Sequence, residues 1–325
     1  MSITVVLQQM IIIMILILTG MFLYRKKMLS EDTSRQLSGL IVNITNPALL
    51  ICSAFDDTAK VSLSVLGVGL CVVLLSYAVL LLFAYLIPLI LRIPQSERYS
   101  YRMLTVFGNV GFIGIPLVSA VLGSGALIFV SLNNLIYNIL VYTYGISVLK
   151  RASIEQCSTE ALSEGPHDSK ANEDSENIFH KLINAGTVSA VLTVIFYLCD
   201  FKVPTIISSS LTYAGRTTTF LSMLVLGVSV AQMAPKDIFS HPKLYAFTLL
   251  RQILLPIVFT LALVLVVKNA LIANTAALLL AVPAGNMPLM LSKQLHVNES
   301  TISQAIILTT ILSLVTIPVV TFFIG

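Results

Sequence analysis

The chain is organised as ten long apolar runs separated by shorter polar segments. The runs cover approximately residues 3–23, 35–55, 62–91, 103–122, 126–149, 179–198, 205–233, 244–267, 271–291 and 303–323. A spanning α-helix needs about 20 consecutive apolar residues, and these runs do not alternate between apolar and polar positions as the strands of a membrane barrel do. The pattern therefore predicts an all-α polytopic membrane protein with ten transmembrane helices.

The composition supports this interpretation and narrows the chemistry. Hydrophobic residues make up 57% of the sequence and charged residues 10%, with a mean hydropathy of +0.94. Soluble domains are near half apolar and a quarter charged. The four cysteines show no CxxC or metal-ligand spacing. We therefore expect no metal site, no cofactor and no redox role.

Basic residues fall mainly on one side of the predicted helices. Fourteen Lys and Arg residues lie in the loops that follow odd-numbered spans, whereas Lys60, Lys202 and Lys268 lie on the other side. Because Lys and Arg concentrate in cytoplasmic loops, the odd loops are predicted to be cytoplasmic and both termini to lie outside the inner (plasma) membrane. The net charge of +4 then reflects topology, and nucleic-acid binding is not needed to explain it.

One segment interrupts the apolar texture in the middle of the chain. Residues 150–178 contain seven acids and many small polar residues, a composition that cannot bury enough surface to fold alone. This predicted cytoplasmic linker separates residues 1–149 from residues 179–325, with five spans on each side. An odd number of spans gives the two halves opposite orientations, so related halves form two inverted five-helix repeats, as in many secondary transporters.

The fourth span of each half contains both glycine and proline. Span four reads FGNVGFIGIP over residues 107–116, and span nine reads AVPAGNMP over residues 281–288. Since proline removes a helical hydrogen bond and glycine weakens the turn, both spans are predicted to unwind near mid-membrane, with helix breaks at Gly114, Pro116, Pro283 and Pro288. The alternative is that the glycines serve close helix packing. Freed backbone groups together with Asn109, Gly111, Gly285 and Asn286 predict a substrate site.

These features together resemble the auxin efflux carrier family in its compact bacterial form. The resemblance rests on the five-plus-five layout, the NITNPALL run at residues 43–50, and the runs in spans four and nine, and it covers essentially the whole chain. It implies broken crossover helices in spans four and nine, a mobile bundle of spans 3–5 and 8–10, and a scaffold of spans 1, 2, 6 and 7 that often forms a homodimer.

The same resemblance implies a secondary transporter of small organic anions, including dicarboxylates such as malate in bacterial members and auxin in plant members. The short central loop departs from the large regulated loop of many plant carriers, which argues against a plant-type auxin role. An anion channel and a transporter-shaped receptor or sensor remain alternatives. HExxH, GxSxG and paired membrane carboxylates are absent from the sequence, so an enzyme is not expected.

Two arginines lie well inside predicted spans, away from the first and last residues. Arg216 lies about a dozen residues into span seven, much as Asn43 and Asn46 lie about a dozen into span two, so an inverted repeat places all three at similar depth. An ionisable group at that depth indicates a functional site, and a guanidinium can hold a carboxylate through two parallel hydrogen bonds. The alternative is that Arg216 reaches the outer headgroups. Arg251, near the cytoplasmic end of span eight, is predicted to be an interfacial anchor.

The energy source for transport stays open on sequence grounds. No Asp or Glu lies inside a predicted span, and the four histidines lie in loops or at helix ends, so a proton relay through a buried carboxylate has no candidate. Sodium could bind backbone carbonyls and the Asn amides, and a weak-acid substrate could carry its own proton. A uniport driven by the inside-negative potential would suit export of an anion.

The charge asymmetry makes a direct prediction about topology. In a variant whose four native cysteines are replaced by serine, a cysteine at Ser169 should be protected from impermeant thiol reagents in intact cells. A cysteine at Ser2 should react with them. The reverse labelling pattern would overturn the predicted orientation.

Overall fold

The computed structural model describes residues 3–55, 61–161, 184–199, 203–232, 241–295, 297–298 and 300–324. Within these residues the secondary-structure elements are all helices, which confirms the prediction of an all-α protein. Seven helical stretches of this part are long and apolar enough to cross a membrane. Three shorter apolar helices, Val110–Leu122, Ala185–Leu198 and Ala270–Ala281, correspond to predicted spans four, six and nine.

The first half of the chain begins with a long uninterrupted helix and continues through several segmented ones. Its α-helices are α1 (Ile3–Arg25), α2 (Glu31–Leu40), α3 (Asn46–Ser53), α4 (Leu63–Ile90), α5 (Arg98–Val106), α6 (Ile115–Leu122), α7 (Leu127–Leu140) and α8 (Ile146–Ala161). Helix α8 continues beyond residue 149, so the first residues assigned to the linker are helical. Residues 162–178 of the predicted linker lie outside the described residues.

The second half repeats the mixture of long and segmented helices. Its α-helices are α9 (Ala185–Leu198), α10 (Thr205–Gln232), α11 (Pro242–Thr248), α12 (Leu255–Val266), α13 (Ala270–Ala281), α14 (Met287–Gln294) and α15 (Ser300–Ile324). Helices α10 and α15 are long and continuous, whereas predicted span nine is divided between α13 and α14.

Several helices continue through a wider π-helical turn. The segments Ile41–Thr45, Val110–Gly114 and Leu249–Leu254 are π-helical, and each is followed two residues later by a proline, at positions 47, 116 and 256. Proline lacks an N–H group and its ring crowds the carbonyl four residues before it, so the preceding turn opens. At positions 47 and 256 the proline thus widens the helix without ending it.

Helix α10 packs against α1, α2 and α3, and α3 also packs against α9. The backbones of α1 and α10 come so close that a Cβ added to Gly20 would overlap the carbonyl of Leu224. A Cβ on Gly227 would likewise overlap the carbonyl of Ile17. Small residues allow membrane helices to gain packing contacts that bulkier residues prevent, so glycine is required at this crossing.

The remaining helices assemble around predicted spans four and nine. Helix α4 packs against α5, α7 and α13, and α13 also packs against α6, α12 and α15. The two groups of helices meet where α10 contacts the π-helical segment Val110–Gly114 and where α9 contacts α7. The first broken span therefore lies at the boundary between the two groups.

Candidate functional site

Predicted span four is interrupted just after α5. That helix ends at Val106, the next three residues are not helical, and the chain becomes helical again at Val110. The Asn109 side chain caps the second segment, because its Oδ1 accepts a hydrogen bond of 3.2 Å from the Phe112 N–H. An Asn at this position satisfies one of the unpaired amides that begin a helix.

Predicted span nine is interrupted in the corresponding place. Helix α13 ends at Ala281, residues 282–286 are not helical, and α14 begins at Met287. Pro283 lies in this interruption, and the Ala284 N–H donates a hydrogen bond of 3.1 Å to the Thr309 hydroxyl of α15. Thr309 was not singled out from the sequence. Many threonines in helices donate only to a carbonyl of their own helix, and the sequence does not show which of them also accept a hydrogen bond from a neighbouring backbone.

The two interruptions hydrogen-bond to each other. The Asn109 N–H donates to the Pro283 carbonyl over 2.7 Å, and the Gly285 N–H donates to the Phe107 carbonyl over 2.9 Å. Gly108 and Ala284 face each other across this short antiparallel bridge. Inside a membrane an unpaired backbone group costs several kcal/mol. Each break therefore stabilises the other by giving its unpaired backbone groups a hydrogen-bond partner.

Glycine is required where the two backbones meet. A Cβ on Gly285 would lie 2.7 Å from the Gly108 carbonyl oxygen and 3.1 Å from that of Phe107. A Cβ on Gly108 would lie 2.7 Å from a Val282 methyl group. The obstacles around Gly285 are main-chain atoms, which cannot rotate away. The glycines thus allow direct backbone contact, in addition to weakening the helix.

The positions of the breaks differ from part of the sequence prediction. Gly114 ends the π-helical segment and Pro116 lies in the first turn of α6, so the interruption in span four comes one to two turns earlier than these residues. Pro288 similarly lies in the first turn of α14. Proline is tolerated at the first positions of a helix because the N–H it lacks has no helical partner there. Pro288 therefore begins a helix, whereas Pro116 lies inside the continuous helix Val110–Leu122, just after its π-helical turn, and does not interrupt it.

Asn46 joins predicted span two to the first broken span. Its side-chain amide donates a hydrogen bond of 3.1 Å to the Gly111 carbonyl, and its side chain is buried. Its Oδ1, together with Nδ2 of Asn109, is buried without a hydrogen-bond partner among the described residues. Asn43 is exposed and bonds the Gly39 carbonyl of its own helix over 2.9 Å. Asn286 is half-buried at the end of the second break.

Helix α10 adds further buried polar atoms to the same boundary. The hydroxyls of Thr218 and Ser222, one helical turn apart on α10, are buried without a partner among the described residues, as is the hydroxyl of Thr45. Helix α10 contacts both the segment that contains Thr45 and the segment Val110–Gly114. Buried polar groups are nearly always hydrogen-bonded, so this boundary has unused capacity to bind a polar ligand or water.

Arg216 lies on α10 but outside this cluster. Its side chain is exposed on the surface of the protein, eleven residues after the first residue of a helix that begins at Thr205. At 1.5 Å per residue this places it about 17 Å from the start of α10. The structure therefore brings Asn46, Asn109, Gly111 and Gly285 together, while Asn43 and Arg216 lie on exposed surfaces.

Arg251 is the residue whose environment the sequence analysis predicted wrongly. It is 3% exposed, so its side chain lies in the protein interior and does not reach the protein surface as an anchor would. Its Nε donates a hydrogen bond of 2.8 Å to the Thr105 carbonyl, and its Nη1 donates to the Leu280 carbonyl. A small cavity of about 30 Å³ lies beside it, lined in part by Tyr77, Asn133 and Thr275. In the sequence Arg251 and Arg216 look alike, because each is a single Arg within an apolar run, and this pattern does not show which of the two is buried.

Comparisons with known proteins agree with this architecture. A family model described as membrane transport protein matches residues 5–321. The chain is also 24% identical over 315 residues to an uncharacterized transporter of Methanocaldococcus jannaschii. The aligned region covers 94% of this chain and 95% of that protein.

The pairing of the breaks predicts that Gly285→Ala destabilises the protein. The added methyl group must displace main-chain atoms of the opposite break, and overpacking of this kind costs about 1–3 kcal/mol. Thermal unfolding in detergent would measure the loss. Gly67→Ala in α4 is the matched control, because nothing lies within 4 Å of its added Cβ. Equal melting temperatures for the two variants would show that the backbones do not meet at Gly285.

Proposed function

Since the chain belongs to the membrane transport protein family, and its predicted resemblance to the auxin efflux carriers is confirmed, we propose that it is a secondary transporter of small organic anions that works by alternating access. The family is one of membrane transporters and not of enzymes. The substrate we propose is a carboxylate, with malate-like dicarboxylates as the first candidates.

The single observation that carries this proposal is the pair of facing breaks with unused polar atoms beside them. Asn109 Nδ2 and Asn46 Oδ1 are buried without partners among the described residues, next to backbone that is hydrogen-bonded across the breaks. Discontinuous helices near mid-membrane are where secondary transporters bind substrates. The Asn109 amide can donate to a carboxylate, and the Asn46 carbonyl can accept from a hydroxyl or a protonated carboxyl group.

The charges support an anion over a cation. No acidic residue falls within a predicted span, whereas Arg216 and Arg251 do. A cationic substrate would enter this region without a carboxylate partner and beside the buried guanidinium of Arg251. That guanidinium favours an anion.

The packing suggests how the protein moves. We propose that α1, α2, α3, α9 and α10 form the scaffold, and that α4–α8 and α11–α15 form the mobile bundle, related as two inverted repeats whose broken spans cross. In this proposal the polar boundary near Asn46 opens alternately to the two sides of the plasma membrane. A homodimer formed through the scaffold, with both termini outside, completes the arrangement.

Flux into vesicles containing the purified protein tests the proposal. With a panel of carboxylates, a carrier should give saturable uptake of at least one anion and accelerated exchange when the same anion is loaded inside. Saturation without counterflow would indicate a channel. A protein that binds an anion but moves none would be a receptor, and either result would contradict the proposal.

Arg216 provides a separate test of substrate recognition. If this Arg neutralises a substrate carboxylate, Arg216→Ala removes charge-assisted hydrogen bonds worth about 1.5–3 kcal/mol and weakens binding by at least about tenfold. Arg216→Lys should give an intermediate affinity, because it keeps the charge without the planar fork. Titration calorimetry with the transported anion would measure both variants. Lys268→Ala, which removes an exposed charge on the predicted outer side, is the control. Unchanged affinity in Arg216→Ala would make this residue a surface anchor.

A further inference from the structure

Arg251 contacts both broken spans at equivalent positions. Thr105 is the second-to-last residue of α5, and Leu280 is the second-to-last residue of α13. The Arg251 guanidinium donates one hydrogen bond to the carbonyl of each. The side chain thus links the carboxyl ends of the two helices that stop at the breaks, and it does so from a third element, the π-helical segment Leu249–Leu254.

We propose that Arg251 is a positioning residue: a built-in cation that caps both broken helices and takes the place of a bound metal cation at the crossing. The last four carbonyls of a helix have no helical partner, and together they place about half a negative charge at its carboxyl end. Two such ends converge on Arg251. Their combined charge approximately balances one guanidinium.

The surroundings of Arg251 indicate that helix dipoles, and not an acidic side chain, balance the positive charge of its guanidinium. Side chains that line the adjoining cavity are apolar or uncharged, with Ser76, Tyr77, Asn133 and Thr275 as the polar members beside Arg251 itself. A buried charge in this setting is costly unless it is hydrogen-bonded. The two helix ends therefore stabilise the guanidinium, and the guanidinium holds the two helix ends together.

The geometry also explains why this position holds an arginine and not a lysine or a bound sodium ion. Unwound carbonyls and helix carboxyl ends are the groups that hold a coupling sodium in transporters with broken helices. Here the guanidinium already occupies one carbonyl at each helix end and balances their partial charge, which leaves little attraction for a sodium ion. The planar fork reaches two carbonyls on separate helices, which a lysine ammonium on a flexible stem does less well.

Gly108 leaves the room that Arg251 needs. A Cβ on Gly108 would lie 3.2 Å from Nη2 of Arg251, so this nitrogen lies directly against the first break. The guanidinium thus touches the interruption itself as well as the helix ends. This inference goes beyond the proposed function, and it rests on that function only for its flux measurement.

The test combines Arg251→Ala with replacement of the missing group from solution. Arg251→Ala should lower the melting temperature and reduce flux of the transported carboxylate at least about tenfold, since two hydrogen bonds to a charged group are lost. Guanidinium chloride at low, non-denaturing concentration should raise both quantities in this variant and not in the native protein. Sodium chloride at equal ionic strength distinguishes specific binding from screening. Arg251→Lys should fall between the native protein and Arg251→Ala.

Arg98→Ala is the matched control, because Arg98 also donates to a backbone carbonyl, that of Ile93 over 3.1 Å, but away from the breaks. Guanidinium should not rescue it. Sodium-dependent flux in the native protein would overturn the proposal, and so would an Arg251→Ala variant whose melting temperature does not respond to guanidinium. The melting measurement does not depend on transport. A failure of the flux assay with every anion would therefore reject the proposed function while leaving the role of Arg251 separately tested.

Discussion

The structure depends on one constraint, which is that backbone N–H and C=O groups inside a membrane must find partners within the protein. Two spans of this chain break their helices, and each break exposes such groups. The protein resolves the problem by placing the breaks against each other, so that Asn109 bonds Pro283 and Gly285 bonds Phe107. The close packing around Gly108 and Gly285 follows from this pairing, because the contact is between main chains.

The side chains around the crossing have different tasks. Asn109 caps the helix that follows the first break, and Thr309 binds the backbone of the second. Asn46 links the crossing to the neighbouring group of helices. Arg251 binds a carbonyl at the carboxyl end of each broken helix. Polar groups in this region thus serve the breaks, and those buried without a partner among the described residues are the ones that the proposed substrate would bind.

The sequence predicted the apolar helices and the approximate places of the breaks, because hydropathy and the Gly/Pro pattern act locally. It misplaced the first break by one to two turns, since a proline that follows a π-helical turn inside a continuous helix looks the same in the sequence as one that ends a helix. It also misread Arg251. Arg216 and Arg251 each stand alone among uncharged residues, and a sequence cannot show which one faces the interior. That distinction depends on contacts with Thr105 and Leu280, which are 146 and 29 residues away along the chain.

In the proposed transport cycle the two breaks belong to one rigid unit that moves against α10. Pairs of spin labels on exposed residues can test this motion: Leu82 of α4 with Val264 of α12, both in the unit that contains the breaks, and Leu82 with Phe220 of α10. Pulsed electron paramagnetic resonance would measure both distances with and without the transported anion. We expect the anion to shift the Leu82 to Phe220 distance and to leave the Leu82 to Val264 distance unchanged. A shift of equal size in the Leu82 to Val264 distance would contradict it.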